Sequence, residues 1–276
     1  MDGTTTGVVL LAALLHAGWN AVVKGGGDRF ALMVILWGVA GAVSLAILPF
    51  LAPPAPASWP YIAASVLLHI GYALFLAFAY DHGDFSQVYP IARGSAPLIV
   101  TVVSIGFLGA QLAPLAVIAV LLIICGIVSL ARGKDAIQLR PLAYALGTGL
   151  FIAAYTLVDG TGARLAGSAH GYTAWMFALF GITFVALFGG KKAMTIRTSP
   201  RRFWLAGIGG GLMSLAAYWV VIWAMTVGPI AMVAALRETS VLFAAVIGAV
   251  VFGERLGRRR IIAAAIVLFG VVLLRI

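Results

Sequence analysis

Three charged side chains lie inside long apolar runs: Arg93 within 88–108, and Arg237 and Glu238 within 229–252. A charge at membrane depth costs several kcal/mol, on the order of 2.5–3.5 on insertion scales, so such residues face a protein-lined cavity and act there. Arginine presents a planar fork of donors that matches carboxylate, phosphate or phosphonate. Two arginines and one glutamate leave one positive charge over, and an unpaired buried arginine is too costly to be idle. The pattern points to an anionic group on a small-molecule substrate. Glu238 has three readings: partner of a substrate amine, carrier of a coupling proton, or structural partner that holds one arginine.

Other polar residues at helix depth are candidates to line the same cavity. His16, Trp19 and Asn20 follow i, i+3, i+4 spacing and share one helix face. Tyr72 and Tyr80 lie on the third apolar run with His69, and Tyr89 lies just before Arg93. Tyr155 and Thr156 lie on the sixth run, Trp175 on the seventh, and Tyr218, Trp219 and Trp223 on the eighth. Packing and interfacial anchoring are the competing roles for each. Pro90 and Pro97 flank Arg93 and can hinge its helix.

Enzyme chemistry finds no purchase. Gly133-Lys134 is followed by Asp135, so there is no Walker A run, and no H-E-x-x-H occurs. His16, His69, His82 and His170 are scattered without metal-ligand spacing. No catalytic residue, metal or cofactor is expected. Cys125 lies mid-run and reads as a packing residue.

The elements that must position these residues follow from composition. The chain is 63% hydrophobic and 9% charged, with a mean hydropathy of +1.11. A soluble domain carries about 25% charged residues. The apolar runs are continuous, not alternating as in barrel strands, so each reads as a helix of roughly 20 residues. The predicted spans are 4–24, 29–51, 59–80, 86–108, 112–131, 140–159, 170–189, 202–226, 229–252 and 258–275. The expected fold is an all-α integral membrane protein with ten transmembrane helices in a single domain.

The formal net charge of +10 does not imply nucleic acid, because the basic residues sit in short loops where they set topology and meet lipid headgroups. Apart from Arg93, Arg237, Arg164 and Arg275, every Lys and Arg falls in an odd-numbered loop. The positive-inside rule therefore makes the odd loops cytoplasmic and puts both termini outside.

An internal repeat is visible. Gly71–Gly83 resembles Ala217–Gly228, Phe107–Leu130 resembles Val251–Leu274 with Gly126 over Gly270, and Trp19-Asn20 lies over Tyr155-Thr156. Five helices per copy is an odd number, so the second copy inserts upside down, as in many secondary transporters. The expected repeats are 1–135 and 136–276. Arg93 and Arg237 then lie roughly 6 and 5 Å to opposite sides of their helix centres. Both guanidinium groups can reach one midplane site.

Several motifs together resemble the EamA-type members of the drug/metabolite transporter superfamily over the full length. They are Leu15-His16-Ala17-Gly18-Trp19-Asn20 with Lys24, Tyr89-Pro90-Ile91-Ala92-Arg93-Gly94-Ser95-Ala96-Pro97, and Gly253-Glu254-Arg255-Leu256. The resemblance implies a secondary, alternating-access carrier, an exporter first, in a bacterial inner (plasma) membrane. It implies a monomer or weak homodimer whose partners are substrate, membrane lipids and, if Glu238 titrates, protons. Amino acids or related anionic and zwitterionic metabolites are the first expectation for substrate. A cation/drug–proton antiporter built on Glu238 and a lipid-linked substrate flippase are the alternatives.

Overall fold

The structure is a computed structural model that describes residues 2–82, 85–129, 138–252 and 258–273. These residues contain no strand and form eleven α-helices. They are α1 (Gly3–Gly25), α2 (Arg29–Ile47), α3 (Trp59–His82), α4 (Phe85–Gly106), α5 (Pro114–Ser129), α6 (Leu139–Leu165), α7 (Ala169–Thr198), α8 (Arg201–Val227), α9 (Ile230–Arg237), α10 (Ser240–Phe252) and α11 (Arg258–Leu273). Among the described residues six helical stretches, from 21 to 30 residues long, are apolar enough to cross a bilayer. Leu67, Phe107, Leu205 and Val250 are exposed, an outer surface suited to lipid rather than water.

Helix starts follow local chemistry. The Asp2 carboxylate accepts from the Thr5 amide at 2.7 Å, Asp28 from Ala31 at 2.9 Å, and the Ser168 hydroxyl from Gly171 at 3.0 Å. Each satisfies an amide that the first helical turn leaves without a partner. Asp28 also takes the Lys192 ammonium at 2.7 Å, tying the start of α2 to the far end of α7. Partial burial alone would raise the Asp28 carboxyl, but the Lys192 ammonium and the Ala31 amide hold it below the ordinary carboxylate range.

Two helices run further than their hydropathy suggests. α6 extends to Leu165 instead of 159, so Asp159 lies inside the helix. α7 extends to Thr198 instead of 189, because its Lys and Arg residues are good helix formers. The link before α8 shrinks to Ser199-Pro200, where proline disfavours helix at the residue before it.

The predicted span 229–252 is broken. α9 stops at Arg237 and α10 starts at Ser240. Across the break the Thr239, Val241 and Leu242 amides donate to Leu236, Glu238 and Thr239 carbonyls, the tighter i→i−3 pattern. No proline or glycine causes it. The Thr239 hydroxyl donates to the Leu236 carbonyl at 2.6 Å and competes with the α-helical ladder.

Small residues set the helix crossings. α2 packs on α7, α3 and α4 on α6, α1 on α8, α9 and α10, and α5 on α11. A Cβ on Gly41 would lie 2.9 Å from the Gly181 Cα, and one on Gly181 2.7 Å from the Gly41 Cα and 2.6 Å from the Trp37 carbonyl. Of the α8 glycines, Gly207, Gly210 and Gly211 press on α2, whereas Gly209 faces open space. Backbones approach this closely only where side chains are absent. Gly181→Val should therefore cost about 1–3 kcal/mol or more by overpacking. Gly209→Ala should be near neutral. Heating detergent-solubilised variants and measuring the surviving monodisperse fraction checks both.

Candidate functional site

The break between α9 and α10 brings the buried charges together. Arg237 ends α9, and Glu238 follows it at the C-terminal turn. A cation is favoured at a helix C-terminus, where unpaired carbonyls carry partial negative charge. Arg93 approaches from α4. The Glu238 Oε2 lies 2.8 Å from the Arg93 Nε. Its Oε1 accepts from the Arg237 Nε at 3.2 Å and lies 3.2 Å from the Arg237 Nη2. Each arginine has a hydroxyl neighbour: Arg93 Nη2 donates to Ser240 Oγ at 3.2 Å, and Arg237 Nη2 to Thr156 Oγ1 at 3.4 Å. All three charged side chains are 3% exposed or less.

Aromatic rings extend the cluster through α3, α6 and α8. The Arg237 guanidinium carbon sits 5.8 Å from the Tyr155 ring centre and 5.9 Å from that of Tyr218, within cation–π range. Tyr155 also meets Tyr72 edge-on at 5.7 Å and stacks on His69 at 4.1 Å. The His69 Nδ1 lies 2.9 Å from the Ser65 carbonyl, which assigns the proton to that nitrogen.

Behind the rings lies a fourth charge, on a residue the pattern reading overlooked. Asp159 on α6 is fully buried. Its Oδ2 accepts from the Tyr218 hydroxyl at 2.6 Å and its Oδ1 from the Tyr172 hydroxyl at 2.9 Å. Both carboxyl oxygens thus accept a tyrosine hydroxyl. The expected single leftover positive charge did not count Asp159; by formal charge the two buried arginines are matched by two buried acids, one of which is held by tyrosines. Asp159 sits four residues after Tyr155, so the i, i+4 face was the available signal. The predicted end of the sixth helix fell on Asp159 and made it look solvated.

The remaining candidates divide. His16 lies within electrostatic reach of Arg93 and Arg237. Trp19 Nε1 donates to His16 Nδ1 at 3.2 Å, and the Asn20 amide donates back to the His16 carbonyl at 2.7 Å. This face of α1 borders the cluster through its packing on α9 and α10. Trp219 instead donates to the Nδ1 of exposed His170 at 2.8 Å, outside the arginine–carboxylate contacts. Arg164 donates to the Met225 and Gly228 carbonyls at 2.8 and 2.7 Å and closes the end of α8. The side chains of Tyr80 and Tyr89, and all of Glu254, lie outside the described residues.

Comparison with known proteins adds a family and a fold. Residues 139–276 match the EamA-like transporter family. No curated protein matches the chain. A solved structure that bears only the description "Crystal structure of protein" is 20% identical, covers 99% of this chain and 98% of its own, and has a TM-score of 0.79. That likeness is one of fold.

The Asp159 network makes a stability prediction. Tyr172→Phe and Tyr218→Phe each remove one bond to a buried carboxylate, which should cost about 1.5–3 kcal/mol. The double variant should lose more than the two single losses combined, because it leaves the carboxylate without either donor. Denaturant unfolding in detergent micelles measures all three, and single losses under about 0.5 kcal/mol would show that the tyrosines do not anchor Asp159.

Proposed function

The chain belongs to the EamA-like transporter family, and from that premise we propose that it is a secondary carrier for a small metabolite bearing an anionic group. It is an integral membrane protein, with helices long and apolar enough to span the bilayer. One observation carries the reading of the substrate: arginines from two different helices converge on a single buried carboxylate. Such a pair recognises a carboxylate or phosphonate once Glu238 is displaced. A displaced Glu238 can in turn meet an ammonium, so the site suits a zwitterion such as an amino acid. Arg93 and Arg237 bind the anionic group, with Tyr72, Tyr155, Tyr218, His16, Trp19 and Asn20 as the surrounding wall. Both Glu238 oxygens are engaged by arginines, which weighs against a cationic-drug carrier built on that residue.

The proposed mechanism is alternating access between two inverted repeats, 1–135 and 136–276. Pairwise contacts support the repeat. Gly126 meets Ala263 and Val267, seven and three residues before Gly270; Gly270 meets Ala119 and Ile123, seven and three before Gly126. Gly41 and Gly181 meet each other in the same reciprocal way. The interval from Arg93 to Arg237 equals that from Gly126 to Gly270. The packing of α3 on α6 has its counterpart in α8 on α1. Rocking one repeat against the other would open the buried cluster to each side in turn.

The loop charges support a bacterial inner membrane orientation with the α7–α8 link inside and both termini outside. Two experiments test these proposals. Arg93→Ala and Arg237→Ala should each abolish uptake of labelled amino acids into proteoliposomes, with the protein still folded by size-exclusion. Uptake at wild-type rate in both variants would sink the site. In intact cells, Lys191→Cys in a Cys125→Ala background should resist an impermeant maleimide until the membrane is opened. Labelling without permeabilisation would invert the orientation.

A further inference from the structure

Resting on the reading of Arg93 and Arg237 as an anion site, we propose that Glu238 is an internal stand-in for the substrate's anionic group. It occupies both arginines in the empty carrier, and the anion that displaces it enters with one compensating positive charge. That charge is a proton for a simple anion and the substrate's own ammonium for a zwitterion.

Charge must be conserved in a site this deeply buried. Glu238 is fully buried, and each of its oxygens lies within 3.2 Å of an arginine nitrogen. An incoming carboxylate that takes those nitrogens leaves Glu238 ionised, buried and without a cation, at a cost of several kcal/mol. Among the described side chains no spare cation meets this cluster. Among the described side chains, the charged or titratable groups that reach this cluster from the elements packed against α9 are His16 on α1, Arg93 on α4, Tyr155 and Asp159 on α6, and Tyr218 on α8; Arg140, Tyr144, Arg201 and Arg202 lie near the N-terminal ends of α6 and α8, away from it. α5 contributes only Cys125, which is exposed. Asp159 is held by Tyr172 and Tyr218, and Arg164 is committed to carbonyls at the end of α8. Glu238 therefore takes a proton from water on the open side, at the oxygen an arginine has released, and returns it to water when the anion leaves. A zwitterion supplies an N–H donor instead, and no proton is needed.

The site carries the same net charge empty and loaded. With Asp159 counted, Arg93, Arg237 and ionised Glu238 sum to zero; so do the same residues with Glu238 protonated and a monoanion bound. The empty carrier can then reorient without exposing an unpaired buried arginine to the bilayer.

Propionate and β-alanine test this, because they differ only by the ammonium and propionate stays ionised from pH 6 to 9. Ligand-induced thermal stabilisation of purified protein in detergent reads their affinity. For wild type, propionate should bind up to about tenfold more tightly per unit fall in pH, the linkage of one proton. β-Alanine should bind with the same affinity throughout. In weakly buffered solution with a pH dye, propionate should draw close to one proton per site and β-alanine none. Glu238→Gln should bind propionate more tightly than wild type and independently of pH, and Glu238→Asp should keep the pH dependence. The dye measurement on wild type decides the matter even if Glu238→Gln does not fold. If propionate binds wild type equally at every pH with no proton uptake, and Arg93→Ala still abolishes that binding, the exchange is wrong and the anion site stands. If propionate and β-alanine stabilise neither wild type nor Glu238→Gln at any pH, the anion site fails and the exchange falls with it.

Discussion

A guanidinium group in the middle of a membrane protein must have a negative partner, and the centre of this molecule is organised around that requirement. Glu238 satisfies two arginines at once, one from its own helix and one from α4. For both to reach it, the ninth span must present residues 237 and 238 to the interior. A straight helix turns successive residues about 100° apart. The tightened turn at Glu238–Thr239 breaks the apolar span at this level of the molecule. The broken helix and the salt-bridge cluster are thus one feature.

Under the proposed repeat, the site is a symmetric frame with an asymmetric filling. Arg93 corresponds to Arg237, Tyr72 to Tyr218, Trp19 to Tyr155 and Asn20 to Thr156. The two acids have no such counterparts. Glu238 corresponds to Gly94, and a Cβ there would already meet Val128 at 2.8 Å. Asp159 corresponds to Val23, which is packed in the apolar core. In that pairing the two cations and the aromatic side chains have counterparts in both copies, whereas both acids lie in the second copy alone.

The second carboxylate changes how the site is understood. Glu238 and Asp159 are separated by aromatic rings, not by solvent. Arg237 lies against the faces of Tyr155 and Tyr218, and Tyr218 passes its hydroxyl to Asp159. The tyrosine therefore couples the position of the cation to that of the distant anion. Tyr172 pins Asp159 from the α7 side, so the network links α6, α7, α8 and α9 through side chains alone.

Hydropathy by itself determined that the chain is helical and membrane-embedded, because continuous apolar runs of bilayer length have no other stable solution. It also exposed Arg93, Arg237 and Glu238, since a charge in such a run stands out against its neighbours. Hydropathy cannot place helix ends to within a turn. α7 runs on through Lys and Arg residues that are good helix formers, and α6 runs on through Gly160-Thr161-Gly162, which read as a stop, so Asp159 was hidden at a supposed boundary. The pairing itself was beyond the reach of sequence. Which oxygen meets which arginine, that Trp219 turns to His170, and that the ninth span breaks at Glu238 are set by contacts between residues far apart in the chain. Only tertiary packing brings Arg93 and Ser240, or Tyr172 and Asp159, within hydrogen-bond distance. Sequence named the charged residues because burial cost is local, whereas the balance among them is a property of the assembled interior.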